Sequence, residues 1–271
     1  MIIKDLVKDN SAYGSIACIK GEESVVSIRG YLAYNFDFIK EFDTIILAVN
    51  WLDGVTDETV DRYLEQWYMA FPNSYIYTTR ISKNLGHTLS TMELDNQLFS
   101  KCKQLHIKWL FKSTEDVIIN SAFLDRKISK SDFYYFNGIG KGGMEKYNFD
   151  YNYIIDADFY PNTNFYIINT WAADWLYDEE QIYEVDNYIK GIENYNGRIW
   201  EWVPGFSSEG KLAELIENRN IESAHLLNTR EYILLLTFVD RYNIHDNSFK
   251  NIMCGDVCHF HFPNQPVTII E

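Results

Sequence analysis

Apolar runs and amphipathic stretches alternate along the first 120 residues. VVSIRG at 25–30 and TIILAVNWL at 44–52 are short, β-branched runs and predict strands. Between them, YLAYNFDFIKEF predicts a connecting helix or an irregular crossover. In DETVDRYLEQWYMAF the apolar positions Val60, Leu64, Trp67 and Phe71 recur every three or four residues, with acidic residues in the first turn and Pro72 just beyond. That is a helix with its stop signal. SYIYTTRI returns to strand character, TMELDNQLFSKCKQL is helical and IKWLFKS is strand again. Strands and helices in alternation predict an α/β fold with a parallel sheet buried on both faces.

Beyond Lys127 the pattern loosens. SDFYYFNGIGKGGMEKYNFDYNYI reads as a loop or a pair of short strands near a site, and FYIINTWAADWLYDEEQIYEVDNYIK as a strand entering a helix that begins near Asp178. SSEGKLAELIENR is a second helix with a Ser cap, and TREYILLLTFVDRY a third. With no internal repeat and no Pro- or Ser-rich linker, residues 1–271 read as one continuous domain.

Charge narrows the class. The chain carries 39 Asp+Glu against 24 Lys+Arg, a net charge of −15, the wrong sign for holding nucleic acid by phosphate neutralisation. Aromatic residues make up 16% of the chain, which implies packed aromatic layers, sugar-stacking faces, or both. The N-terminus has no continuous apolar segment, and no stretch approaches the roughly 18 apolar residues of a membrane span, so a soluble protein is expected. Cys18, Cys102, Cys254 and Cys258 show no disulfide-scaffold spacing, which favours reduced thiols and a cytoplasmic location. Cys254 and Cys258 with His259 and His261 have metal-ligand chemistry, but a closed zinc site wants a tighter Cys pair and a second pair elsewhere. GIGKGG at 138–143 lacks the P-loop pattern and a following helix, and reads as a loop.

In IKWLFKSTEDVIIN at 107–120, a buried strand runs into a turn with adjacent carboxylates, Glu115 and Asp116. Carboxylates at the carboxyl edge of an open α/β sheet sit where such sheets bind ligands, and an acidic pair there suits a hard divalent cation. An exposed acidic turn with no such role is the other reading of this segment alone. The run Lys112-Ser113-Thr114-Glu115-Asp116-Val117 resembles the strand-end D-x-D-like element of GT-A type glycosyltransferases. Asp116 matches the last carboxylate, and Thr114 replaces the first. TTRISKNLGHT at 78–88 resembles the R-x-x-x-N-x-G segment that precedes the metal motif in many of those enzymes. The similarity spans roughly residues 24–125.

This resemblance implies a GT-A-like, Rossmann-like, mostly parallel sheet flanked by helices. It implies a donor half at about 20–125 and an acceptor half at about 126–271. It also implies a glycosyltransferase, hexosyl- or related, that takes its sugar from a nucleotide-diphosphate donor with Mn2+ or Mg2+ and passes it to an unknown acceptor. Arg80, Asn84, Gly86 and His87 are carried over as donor-binding positions. Arg80 and Lys112 suit phosphate or carboxylate. Glu115 and Asp116 would hold the metal with a late histidine, His259 or His261, which share a face if that segment is extended. His245, Asp246 and Lys250 are an alternative source of diphosphate contacts. IIDADFY at 154–160 is a competing D-x-D with Asp156 and Asp158, later in the chain than a donor element is expected.

An inverting transfer needs a general base, for which Asp174, Asp178 and Glu209 are candidates. Asp174 and Glu209 are preferred. Trp171, Trp175 and Tyr160 are candidate sugar-stacking rings or core residues. The alternative function is a catalytically inactive GT-A-like module that binds a glycan or a protein, for which Thr114 in place of a carboxylate is the main support. A glycosidase with paired carboxylates is a third reading.

Overall fold

The computed structural model describes residues 1–81, 85–115, 117–137, 161–191, 208–226, 251–254 and 257–260. The strands among them are β1 (Ser11–Ile19), β2 (Thr44–Trp51), β3 (Tyr75–Ile81), β4 (Trp109–Thr114), β5 (Val117–Ile119), β6 (Phe133–Asn137), β7 (Pro161–Asn169), β8 (Ser223–His225), β9 (Asn251–Cys254) and β10 (Val257–Phe260). The helices are α1 (Ile3–Lys8), α2 (Glu22–Ile39), α3 (Asp57–Ala70), α4 (His87–Gln104), α5 (Glu179–Lys190) and α6 (Ser208–Asn218).

Seven strands form the main sheet in the order β3-β2-β1-β4-β7-β6-β8. Neighbours are parallel from β3 to β4 and from β6 to β8, and β7 runs antiparallel to both β4 and β6. The sheet is therefore mostly parallel and flanked by helices, the α/β class expected from the alternation. A second sheet of three strands, β5-β10-β9, is antiparallel.

Both faces of the main sheet are buried, and alternate residues of each strand serve opposite cores. On β2, Ile45, Leu47 and Val49 face the core under α2 and α3, while Ile46 and Ala48 face the core under α4. The first core is an aromatic layer: Tyr13, Phe38, Phe42 and Phe111 meet edge-on or tilted at centroid distances of 4.9 to 6.4 Å. Much of the aromatic content thus goes into packing.

Two expectations need correction. VVSIRG is not a strand but lies within α2, whose buried positions Ser24, Val25, Ile28, Tyr31, Leu32, Asn35, Phe38 and Ile39 recur at helical spacing. The β-branched run at 25–28 suggested a strand, but this longer 3.6-residue stripe prevails over local preference. The true first strand is β1, inside the sheet between β2 and β4, so the sheet starts before residue 20. SAYGSIACI hides because a strand covered on both faces shows no alternation. Gly14 is required there: a Cβ would meet Leu110 Cδ1 at 2.6 Å and Leu98 Cδ1 at 3.1 Å.

Strands β2, β3, β4 and β7 and helices α3, α4, α5 and α6 match their expected segments. Thr56 caps α3, accepting from the Thr59 amide at 3.3 Å. Asp178 opens α5 in a reciprocal capping box with Gln181, at 2.8 and 3.2 Å. The helix expected from SSEGKLAELIENR begins at Ser208. The helix expected over TREYILLLTFVDRY and the loop GIGKGG lie outside the described residues. No helix among the described residues is long and apolar enough to cross a membrane.

Candidate active site

The parallel strands β1, β2, β3 and β4 end at one edge of the sheet, the place where open α/β sheets bind ligands. Glu115 follows the last residue of β4 at this edge, and β5 begins two residues later. The Thr114 Oγ1 atom is buried there and has no hydrogen-bond partner among the described residues. Cys18, half-buried near the end of β1, has its thiol pushed up by burial; Lys20 pulls it down and the Glu115 carboxylate pushes it further up.

The chain that leaves the turn is clamped from α2. The fully buried Asn35 amide donates to Val117 O at 3.3 Å and to Tyr31 O at 3.0 Å, and its Oδ1 accepts from Ile119 N at 2.8 Å. In this way the amide stands in for a neighbouring strand on one side of β5. The other side pairs with β10 in a register that sets His259 opposite Val117. The late histidine segment, 140 residues on in sequence, thus runs beside the residue that follows Asp116. Beneath the turn, Tyr31 donates to Ser113 Oγ at 3.5 Å and shares a short hydroxyl contact with Tyr13. Burial pushes Tyr13 up to about 12 and Tyr31 well above its ordinary value, so both stay neutral.

On the opposite face of β4, Lys112 is fully buried. Its Nζ lies 3.3 Å from Asp95 Oδ1 on α4, donates to Thr163 O on β7, and sits 5.4 Å from the centre of the Tyr166 ring. Tyr166 donates to Asp95 Oδ2 at 3.0 Å. Burial pushes Asp95 up to about 6, against the pull of Lys112 and Tyr166, and the nearby Glu209 adds to the rise. Glu209, in the first turn of α6, accepts from Thr163 Oγ1 at 2.8 Å and from Ser208 Oγ at 3.0 Å. Because β7 pairs Phe165 with Ser113, Thr163 lies two residues further toward the carboxyl edge of β4. Glu209 is therefore anchored at the same edge as Glu115, next to the helix N-terminus that favours a negative charge.

Other candidates fall elsewhere. Of the two partners open to them, phosphate or carboxylate, Lys112 and Arg80 both meet carboxylates. Lys112 is held by Asp95 inside the fold, so it is not poised for a phosphate. Arg80, near the end of the outermost strand β3, bonds Asp61 on α3 at 2.6 Å. Gly86 caps α4 with φ of 85°, a conformation that favours glycine, and His87 opens that helix. Asp178 is taken up by its helix cap. Asp174 does not join the site. It follows β7 on the side where Asn169 pairs with Trp109 and Thr170 N bonds Lys108 O, at the amino edge of β4. The length of β4 separates that edge from Glu115 by about 20 Å. Asn84, Asp116, Asp156, Asp158, Tyr160, His245, Asp246, Lys250 and His261 lie outside the described residues.

Glu115 and the buried Thr114 hydroxyl supply oxygen donors of the kind a hard divalent cation takes, so the chemistry at this edge fits one. Among the described residues no three His, Cys, Asp or Glu side chains form a cluster that would hold a metal. Asn35 and Asp95 escaped notice in the sequence, yet each carries a signal: a short polar residue inside the buried stripe of an amphipathic helix. Thr163 carries no comparable signal.

No protein-family model matches the sequence, and no curated protein matches it. Among solved structures the fold is similar to that of mouse xyloside xylosyltransferase 1 in its apo form, with 8% identity, 95% of this chain and 100% of that one covered, and a TM-score of 0.47. It is similar to core-mannan synthase A from Aspergillus fumigatus in an Mn/GDP form, with 8% identity, 75% and 69% coverage and a TM-score of 0.41. It is also similar to nucleoside-diphosphate-sugar pyrophosphorylase from Vibrio cholerae RC9, with 10% identity, 78% and 90% coverage and a TM-score of 0.40. The likeness is one of fold alone.

Proposed function

We propose that the protein is a glycosyltransferase that takes a sugar from a nucleotide-diphosphate donor at the carboxyl edge of β1, β2 and β4, with Mn2+ or Mg2+ as cofactor. The observation that carries this reading is the pairing of β5 with β10, which brings the late histidine segment alongside the strand that leaves the acidic turn. In this reading Glu115, Asp116 and one of His259 and His261 hold the cation, with the Thr114 hydroxyl beside them. Such a cation would neutralise charge that grows on the departing diphosphate. Arg80 would reach the diphosphate only by leaving Asp61. Gly86 and His87 stand at the N-terminus of α4, which favours anions.

Glu209, and not Asp174, is the base in this proposal. Its carboxylate is oriented by the Thr163 and Ser208 hydroxyls and would take the acceptor proton. The first half of the chain, about 20–125, then serves the donor, and 126–271 the acceptor. Four cysteines without scaffold spacing accord with a reducing, cytoplasmic setting.

Calorimetry with UDP, GDP and their sugars, with and without Mn2+, tests the reading. Binding of at least one donor is expected to need Mn2+ and to vanish in Asp116→Asn. Glu209→Gln should keep donor affinity and lose transfer by about 10²-fold or more. Absence of binding by every nucleotide, or binding indifferent to Asp116→Asn, overturns it. Thr114 in place of a carboxylate favours the non-catalytic module, which turnover of any donor, even slow hydrolysis, removes.

A further inference from the structure

The segment between β7 and α5 is tied down along its length. Lys103 Nζ donates to Thr170 O at 3.1 Å and to Ala173 O at 3.0 Å, and Asn169 Oδ1 accepts from Trp171 N at 3.0 Å. Arg219 donates to Trp175 O at 2.8 Å. Asn96 and Tyr177 exchange two bonds of 2.8 Å between side chain and backbone. Ala173, Leu176 and Tyr177 are buried as anchors. This pinned segment nevertheless turns two indoles outward, with Trp171 60% and Trp175 50% exposed. Each has a cation over its ring: Lys108 Nζ at 5.6 Å from Trp171, and Arg219 Cζ at 4.7 Å from Trp175. Between them in the chain stands Asp174, its side chain 84% exposed, with Lys103 Nζ 4.0 Å away.

Tryptophan exposed on a rigid support is costly in water and is the residue type that most often dominates binding energy at recognition surfaces. Rigidity lowers the entropy lost on binding. The exposed carboxylate selects the occupant. An apolar protein surface laid over both indoles would strip water from Asp174 without replacing its hydrogen bonds. A saccharide meets both demands, since the C–H face of a pyranose packs on indole and its hydroxyls donate to a carboxylate.

We infer that Trp171, Asp174 and Trp175 form a second saccharide-binding site, separate from the carboxyl-edge site and about 20 Å from it along β4. It binds a neutral glycan chain, by stacking and hydroxyl donation, without acting on it. The inference stands on this segment alone and holds whether or not Glu115 and Glu209 carry catalysis.

Native affinity electrophoresis of the full chain through gels containing glycogen, xylan, mannan or hydroxyethyl cellulose tests it, with size-exclusion light scattering alongside. Retardation is expected in at least one polysaccharide. Trp171→Ala and Trp175→Ala should each reduce it at least tenfold in apparent affinity, and Asp174→Ala several-fold. Trp171→Tyr should restore part of the loss, because it keeps a stacking ring. Free migration of the wild type through all four gels overturns the inference. So does retardation that survives both alanine substitutions, or a dimer that Trp175→Ala converts to monomer, which would make the surface a protein contact.

Discussion

Lys112 and Asp95 show how far environment can redirect a residue. In the sequence Lys112 opens the motif of the acidic turn; in the fold it faces the other way and is sealed against a carboxylate. Removing one member of a buried pair leaves an uncompensated charge, so Lys112→Met is expected to cost about 3–5 kcal/mol, read by urea denaturation. The double variant Lys112→Met/Asp95→Leu should lose less than the two single losses added together. Asp95 also has a pH signature. Its folded-state pKa of about 6 lies above the unfolded value of 3.8, so folding takes up a proton. The stability from this group is complete below about pH 4 and is lost as pH rises through about 6. Wild-type stability minus that of Asp95→Asn should therefore fall across that window in denaturation series at pH 4 to 7, since the other carboxylates cancel. Cys18 reports on the turn itself. Its raised thiol should alkylate slowly at pH 7.5, and Glu115→Gln should quicken it by removing a nearby negative charge, as mass spectrometry of the Cys18 peptide can follow.

Among the elements, β5 depends most on a single side chain. Asn35→Ala leaves Val117 O and Ile119 N without the amide that binds them, a loss of about 1–3 kcal/mol for buried backbone groups. Hydrogen exchange at the Ile119 amide should rise well before that of β1 or β2. This dependence also marks the limit of what the sequence discloses. Helices α3, α4 and α5, strands β2, β3, β4 and β7, and the acidic turn are legible from periodicity and caps such as Asp178. The first strand is not, because it is covered on both faces and its Gly14 is small for close packing against Leu98 and Leu110, which is a tertiary cause. Nor does spacing reveal that Asp174 and Glu209 sit at opposite edges, because that follows from the reversed direction of β7. The meeting of β5 with β10 is a pairing between segments 140 residues apart and has no local signature.

At the scale of the whole molecule, a net charge of −15 opposes the approach of an anionic donor. Raising the ionic strength from about 20 to about 200 mM should therefore speed donor association in stopped-flow measurements made at saturating Mn2+, the reverse of the behaviour of a basic nucleotide-binding protein. In the main sheet β7 runs against its neighbours on both sides, and this has a further effect. One end of β7 carries Thr163, which holds Glu209, and the other leads directly into Trp171. Between Thr163 and Asn169, two residues short of Trp171, lie six residue steps, about 20 Å of extended backbone that neither packing face allows to shorten. The strand therefore works as a ruler. With both proposed sites in place, a short oligosaccharide would occupy one end or the other, while a polymer long enough to span the distance would occupy both and gain avidity from the second contact, so acceptor preference should step upward at a threshold length.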